Sequence, residues 1–410
     1  MSVPALRFKQ DDGRDFPAWS ISQLGQVADF LDGRRKPVKE SDRAKIKGIY
    51  PYYGASGIID YVNDYIFDED IILLGEDGEN IVSRKLPLAF KVSGKCWVNN
   101  HAHVFKPKES TNIDFLTQYL DSISYLEYNS GTAQPKLNQE VCKKIPVPTP
   151  HIKEQTKIAN FLTAVDEKIQ QLNQKHDLLT QYKKGVMQQI FSQKLRFKDD
   201  EGQDFSEWEE RKLGDIFTFI QTNSFSRELL NYETGVVKNI HYGDIHTKFK
   251  SNFKIENANV PFIKPNVDLS KISTDCYCRE GDLIIADASE DYADVGKAIE
   301  IISLVNQKLL SGLHTYIARD LSKQMSLGFS GYMMQTDNVR LQIKTFATGA
   351  SVLGISKGNL AKVNLNIPSK PEQTKIANFL TGIDDKITAT QTQLQAVKQY
   401  KQGLLQQMFV

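Results

Sequence analysis

Cys276 and Cys278 are the first residues in this 410-residue sequence with the look of chemistry, since thiolates close in sequence can grip zinc. Their one-residue spacing does not fit a zinc knuckle, and no second pair lies near. A buried or surface cysteine pair explains them better. Two acidic loops follow apolar runs: Gly75-Glu76-Asp77-Gly78 and Asp287-Ala288-Ser289-Glu290-Asp291. Carboxylates so placed suit either a cation or a tight capped turn. His101 and His103 alternate along Asn99-Asn100-His101-Ala102-His103-Val104, but a metal site or catalytic dyad needs a third group that the sequence does not supply. Gly131 and Gly349 each precede a few polar residues and a short predicted helix, a weak signal for backbone N–H groups facing an anion. No G-x-G-x-x-G or Walker pattern joins a strand to a helix. Neither the Asx-Pro-Pro-aromatic run of an amino-methyltransferase nor a methyl-donor Gly loop is present.

Binding chemistry is better represented. Arg34, Arg35, Lys36, Lys39, Arg43, Lys45 and Lys47 cluster between Gly33 and Lys47 against only Glu40 and Asp42. Such a cluster is either a solvated basic loop or a phosphate contact. Asn99, Asn100, His101 and His103, with His241, Tyr242, Asp244 and His246 further on, are polar groups beside predicted strands. They suit base-edge readout or loop capping. Net charge is +1, so a nucleic-acid binder of this balance must concentrate its basic residues locally. Four scattered cysteines make no disulfide framework, and no apolar run approaches the ~20 residues that span a membrane. A reduced, cytoplasmic protein is the expectation.

The elements that must position these groups are repeated. Glu154 to Thr163 reads EQTKIANFLT, and Glu372 to Thr381 reads the same ten letters. Asp166-Glu167-Lys168-Ile169 returns as Asp384-Asp385-Lys386-Ile387, and Gln181-Tyr182-Lys183 as Gln399-Tyr400-Lys401. Apolar residues alternate at four and three: Ile158, Leu162, Val165, Ile169, Leu172, Leu179, Val186 and Ile190, with His176 and Lys183 in the empty places. The second copy gives Ile376, Leu380, Ile383, Ile387, Leu394, Val397, Leu404 and Met408, with Thr390 answering to Leu172. This is a heptad seam. It predicts a first helix from Lys153 to Phe191, about 58 Å long, or about 17 base pairs of duplex. Ser369 with Glu372 predicts a capping box at the start of the second.

The flanks repeat too. Leu6-Arg7-Phe8-Lys9, Asp15-Phe16, Trp19 and Leu24-Gly25 return as Leu195-Arg196-Phe197-Lys198, Asp204-Phe205, Trp208 and Leu213-Gly214. One frame is used twice and holds two different inserts. They agree only near their ends, where Ser130-Gly131-Thr132-Ala133 and Leu137 answer to Thr348-Gly349-Ala350-Ser351 and Ile355. Read as a circle, the order of parts is the same twice over. That predicts a pseudo-two-fold object with neighbouring chain ends and antiparallel helices, Ile158 level with Met408, Ile190 with Ile376, Leu172 with Leu394 and His176 with Thr390.

The expected division is 1–19 completing the frame, 20–150 as insert 1, 151–192 as the first helix, 193–368 as linker and insert 2, and 369–410 as the second helix. Insert 1 predicts strands at 58–62, 71–74 and 88–92 and a helix at 115–126. Insert 2 predicts strands at 235–240, 282–286, 297–302 and 314–318 and a helix at 322–345.

Two variable segments separated and followed by near-identical helices opening P-x-x-x-E-Q resemble the specificity subunit of type I restriction–modification systems. The residues that carry it are Pro150 to Thr163 with Pro368 to Thr381, Gly131-Thr132-Ala133-Gln134, Leu73 to Gly78, and Gly281 to Ala286. The resemblance implies an α+β chain in which two mixed α/β target recognition domains stand on two long antiparallel coiled-coil helices. It implies a non-catalytic subunit whose domains each read half of a bipartite double-stranded DNA sequence, with Gln134 among the contacts. Insert 2 has no Gln at that place. Two methyltransferase subunits for adenine methylation, and restriction/translocase subunits for cleavage, are the implied partners. S-adenosylmethionine, ATP and Mg are then expected on those partners, and no cofactor or metal on this chain. A scaffold presenting two protein-binding domains on a coiled coil stays open as the alternative, as does an enzyme with an unusual site in the inserts.

Overall fold

A computed structural model describes residues 4–131, 133–349 and 352–409. Thr132, Ala350 and Ser351 lie outside the described residues, and with them part of the two Gly-led loops expected to face an anion. The chain forms two units: residues up to Gln174 with those from Gln391 onward, and Lys175 to Thr390. The long helices run Ile152–Phe191 and Lys370–Met408, and each unit holds part of both.

In unit 1 the frame is fixed by one buried carboxylate. Glu154 is fully buried and accepts from Arg7 Nε (3.1 Å) and Nη2 (2.7 Å) and from Trp19 Nε1 (3.0 Å). Arg7 Nη2 also donates to the Pro17 carbonyl at 2.7 Å. The neighbouring Gln155 holds the insert: it accepts from Asn112 N–H (2.8 Å) and donates to the carbonyls of Pro150 (2.9 Å) and Ser110 (3.2 Å). Unit 2 repeats this bond for bond. Glu372 accepts from Arg196 (3.2 and 2.8 Å) and Trp208 (3.1 Å). Gln373 accepts from Ser326 N–H (2.8 Å) and donates to Pro368 (3.0 Å) and Gln324 (3.3 Å). The repeated Glu-Gln pair is therefore a double clip, Glu to the frame and Gln to the insert. This overturns the expected capping box. Glu372 is engaged by Arg196 and Trp208, and the buried Ser369 hydroxyl has no partner among the described residues.

The circular order is visible within each unit. Leu195 N–H donates to the Gln189 carbonyl at 3.1 Å in unit 2. In unit 1 its counterpart Leu6 donates to Gln407, the repeat equivalent of Gln189, at 3.2 Å, which brings the two chain ends together.

The helices run antiparallel in each unit. In unit 1, Ile158, Leu162 and Val165 pack with Leu404, Met408 and Phe115. Lys401 Nζ bridges both oxygens of Asp166, at 2.7 and 2.9 Å. In unit 2, Val186 and Ile190 share a core with Ile376, Leu380 and Ile383, and Lys183 bridges Asp384 at 2.7 and 2.8 Å. The insert joins each bridge, through Gln118 on Asp166 (2.6 Å) and Tyr332 on Asp384 (2.7 Å). The expected level partner of Asp166 is Tyr400, and the bridge is made by the next residue, Lys401. Leu172, Leu394 and Thr390 are buried, while Ile169, Leu179, Ile387, Val397 and His176 are half-buried. The Thr390 hydroxyl donates to its own helix at the Lys386 carbonyl (2.8 Å), and His176 lies beside Asp177 (3.4 Å).

The inserts differ in sequence yet share a topology. In unit 1 one sheet orders Ala28–Phe30, Ala102–Pro107, Ile71–Gly75 and Ala89–Val92, all antiparallel. In unit 2 the equivalent order is Thr218–Ile220, Thr315–Arg319, Leu283–Ala286 and Ala298–Ser303, again antiparallel, with Asn252–Lys254 added in parallel at the edge. By chain order both read first, fourth, second, third. A second sheet in each unit has one parallel pair, Lys47–Gly54 with Lys95–Val98 and Val237–Ile240 with Lys308–Ser311.

Two helices differ from expectation. The helix of insert 1 is Ile113–Ser122, because Asn112 Oδ1 caps Phe115 N–H at 3.0 Å and the chain turns extended at Ile123. The helix expected at 322–345 is two helices, Phe329–Met333 and Asp337–Phe346. Asp320 takes the N–H groups of Ser322 and Met325, Gly328 sits at φ +89°, and buried Glu300 accepts from Gly328 and Gly331 (2.7 and 2.6 Å). Those bonds replace a continuous helical ladder. Among the described residues no helix is long and apolar enough to cross a membrane.

Candidate nucleic-acid interface

The basic stretch of insert 1 is not uniform. Arg35 is largely enclosed: it bonds Glu76 Oε2 and the Ala102 carbonyl, both at 2.7 Å, and lies 3.4 Å from Asp32. Arg43 bonds Asp60 (3.2 Å) and the Val38 carbonyl (2.8 Å) over the Tyr52 ring. Lys47 also bonds Asp60, and with the Tyr61 N–H and Arg43 it holds that carboxyl down at about 2. Arg34 pairs with Glu69 at 2.6 Å and covers Phe67. Lys36 and Lys39 are exposed, and Lys45 is exposed beside Asp42 (2.9 Å). The arginines and Lys47 thus brace the insert, and Lys36, Lys39 and Lys45 present charge to solvent.

The polar run of insert 1 is a turn followed by a strand. Asn99 is buried and caps the His101 N–H at 2.8 Å, while Asn100 is exposed. His101 is half exposed, with Nδ1 2.8 Å from Asp77 Oδ2. His103 is buried between two acceptors, Asp32 Oδ2 (2.6 Å) at Nδ1 and the Leu137 carbonyl (3.0 Å) at Nε2. Burial pulls its proton affinity down, but the Asp32 carboxylate, helped by the Cys142 sulfur, outweighs this and raises the ring to about 10. Burial likewise pushes Asp32 up, and the bonds from His103 and the Val104 N–H bring it below the ordinary carboxylate range. Both geometry and charge make His103 an imidazolium that clips the segment after Gln134 to the sheet. Gln139 adds to the clip by donating to Asp32 at 2.8 Å. Gln134 itself is exposed, on a loop that meets the Asp77 loop through the Asp77–Lys136 bridge.

In insert 2 the expected residues directly follow the strand Val237–Ile240, His241 at its end and the others on the short helix Tyr242–Thr247. His241 caps it, accepting from Gly243 N–H at 3.2 Å, and stacks on Tyr242 at 4.7 Å. Burial and the nearby Arg227 hold the His241 ring below its usual range. Asp244 is buried and pairs with Arg227 (3.1 Å) and Lys248 (2.8 Å). His246 Nε2 faces the Ala288 carbonyl at 3.1 Å. Tyr242 also meets His314 edge-on at 5.4 Å.

His314 and Asp287 join this cluster, and sequence reasoning passed over their relation. The available signal was that an acidic loop follows an apolar strand in both inserts. Among the described residues no three His, Cys, Asp or Glu side chains converge as metal ligands, and the four cysteines are free.

Comparison with known proteins adds the following. A family model described as "Type I restriction modification DNA specificity domain" matches residues 18–181 and 205–399. A putative type I restriction enzyme specificity subunit of Haemophilus influenzae is 37% identical over 142 residues, 35% of this chain and 36% of that protein. The MjaVIII type I specificity subunit of Methanocaldococcus jannaschii is 23% identical over 97% of this chain and 94% of its own. The crystal structure of a type I restriction–modification S subunit from M. genitalium superposes with a TM-score of 0.63 at 14% identity, covering 100% of this chain and 99% of the other, a likeness of fold.

Proposed function

The chain belongs to the type I restriction modification DNA specificity family, and from that premise we propose that it reads a two-part DNA sequence, one half by each insert. As a specificity subunit it recognises and does not itself catalyse. The observation that carries the two-part reading is one topology clipped twice into one frame, with different side chains around the same strand ends. A module that is constant in fold and variable at its loops can read different bases while keeping its docking geometry.

The long helices set the separation of the half-sites, and methyltransferase subunits dock along them. Tyr182 and Tyr400, equivalent in the two copies, are 54% and 55% exposed, and each offers an aromatic anchor for such a partner. Adenine methylation uses S-adenosylmethionine on those subunits, and restriction/translocase subunits bring ATP, Mg and cleavage. The exposed lysines Lys36, Lys39 and Lys45 touch phosphate. His101, Asn100 and Gln134 in one insert, and His241 and Tyr242 in the other, face bases.

Duplex binding at several salt concentrations tests the reading. A steep fall of log affinity with log salt is expected. Salt-independent association, or none with the assembled subunits, would favour a scaffold that presents two protein-binding domains.

A further inference from the structure

Each insert places a histidine at one and the same point of its sheet. In unit 1 the Glu76 N–H donates to the His101 carbonyl at 2.9 Å, and the Leu137 N–H donates to the Glu76 carbonyl at 2.7 Å. In unit 2 the Asp287 N–H donates to the His314 carbonyl at 3.1 Å, and the Ile355 N–H to the Asp287 carbonyl at 2.8 Å. Each histidine immediately precedes the strand that pairs second in its sheet, Ala102–Pro107 or Thr315–Arg319. The chain has only seven histidines, so two at one structural position in inserts of dissimilar sequence point to a shared task.

A carboxylate faces each ring, in unit 1 from the residue after Glu76 and in unit 2 from Asp287, the counterpart of Glu76 itself. His101 Nδ1 lies 2.8 Å from Asp77 Oδ2, and His314 Nδ1 lies 3.2 Å from Asp287 Oδ1. The two side chains are 51% and 48% exposed, while their carboxylate partners are 22% and 21% exposed. A neutral ring donating through Nδ1–H to a carboxylate keeps Nε2 as an acceptor. Among the described residues neither Nε2 has a hydrogen-bond partner. An acceptor on a half-exposed ring does not pair with a phosphate oxygen, also an acceptor. It does pair with an exocyclic amino group, which adenine (N6) and cytosine (N4) present in the major groove. In unit 2 the Tyr242 ring further restricts His314.

We propose that His101 and His314 are equivalent specificity-determining residues, each accepting a hydrogen bond from the amino group of an adenine or cytosine in its own half of the target. Asp77 and Asp287 are the positioning residues that set the tautomer. This rests on the reading of the inserts as DNA-recognition domains.

The test uses the full chain assembled with its modification subunits and a randomised duplex library, with the methylated duplexes sequenced. His101→Ala should relax preference about tenfold at one position of one half-site and leave the other half intact. His314→Ala should do so in the other half only. Asp77→Ala and Asp287→Ala should relax the same positions as their histidines. His101→Phe and His314→Phe keep the ring without the acceptor and should behave as the Ala variants, which guards against misfolding. Unchanged preference at every position, or an even loss over all sequences, would overturn the assignment. A wild-type assembly that methylates no two-part sequence would instead overturn the DNA-recognition reading, and the assignment with it.

Discussion

Replacing His103 by Gln should remove a pH dependence from the stability of unit 1. The ring is buried, donates to Asp32 and the Leu137 carbonyl, and is raised to about 10 from an ordinary value of 6.5. Its folded form holds the proton more tightly than the unfolded chain does. The contribution is therefore complete below pH 6.5 and is lost as pH rises toward 10. One proton corresponds to about 1.4 kcal/mol per pH unit. Between pH 7 and 9 the wild type should lose about 2–3 kcal/mol that His103→Gln does not lose. The groups facing the ring are Asp32, Glu76 at 3.8 Å and Cys142, with Arg35 close to the same Asp32 and Glu76 oxygens, at 3.4 and 2.7 Å. Asp32, held below its ordinary range, acts at the opposite limb, where its contribution is lost as pH falls below about 4. Denaturant titrations of both proteins at pH 7, 8 and 9, followed by Trp fluorescence, measure the difference. Parallel stability profiles for wild type and variant would show that His103 is neutral in the fold and refute the argument.

Glu154→Ala should cost unit 1 about 3–5 kcal/mol by leaving Arg7 and Trp19 without their buried acceptor, and Glu372→Ala should do the same to unit 2. Thermal unfolding with a probe in each unit reads this, and equal loss in both units from one substitution would contradict it. Leu172→Asp should disrupt the helix pair in unit 1, whereas His176→Leu, at a half-buried seam place, should be tolerated or stabilising. Melting temperatures decide, and the reverse order would count against the seam. Replacing Lys36, Lys39 and Lys45 together by Ala should weaken all duplexes about equally and flatten the salt slope by about one unit for each phosphate no longer neutralised. A changed sequence preference at unchanged affinity would contradict that placement.

The frame was legible in the sequence because the repeat keeps the side chains that make its bonds. Arg7, Trp19 and Glu154 return as Arg196, Trp208 and Glu372 and rebuild the same circuit. The Asp166–Lys401 and Asp384–Lys183 bridges were not foreseen, though Asp and Lys both recur, because a seam pattern marks apolar residues and passes over a paired charge. The shared fold of the inserts was hidden for the opposite reason. What they keep is backbone hydrogen bonding, as at Glu76 with His101 and Asp287 with His314, which leaves the side-chain letters free to differ. The expected capping box at Ser369 fits a local rule that a distant arginine overrides. His103 shows the limit of motif reading at the candidate site. Its alternation with His101 resembles a ligand pair, whereas burial separates a structural imidazolium from an exposed ring.

The most direct measurement exchanges residues 20–150 for the corresponding insert of another specificity subunit and maps methylated adenines in DNA from cells carrying the complete system. The account predicts that one half of the recognised sequence changes while the other half and the spacing stay fixed. A change in both halves together, or in neither, would contradict it.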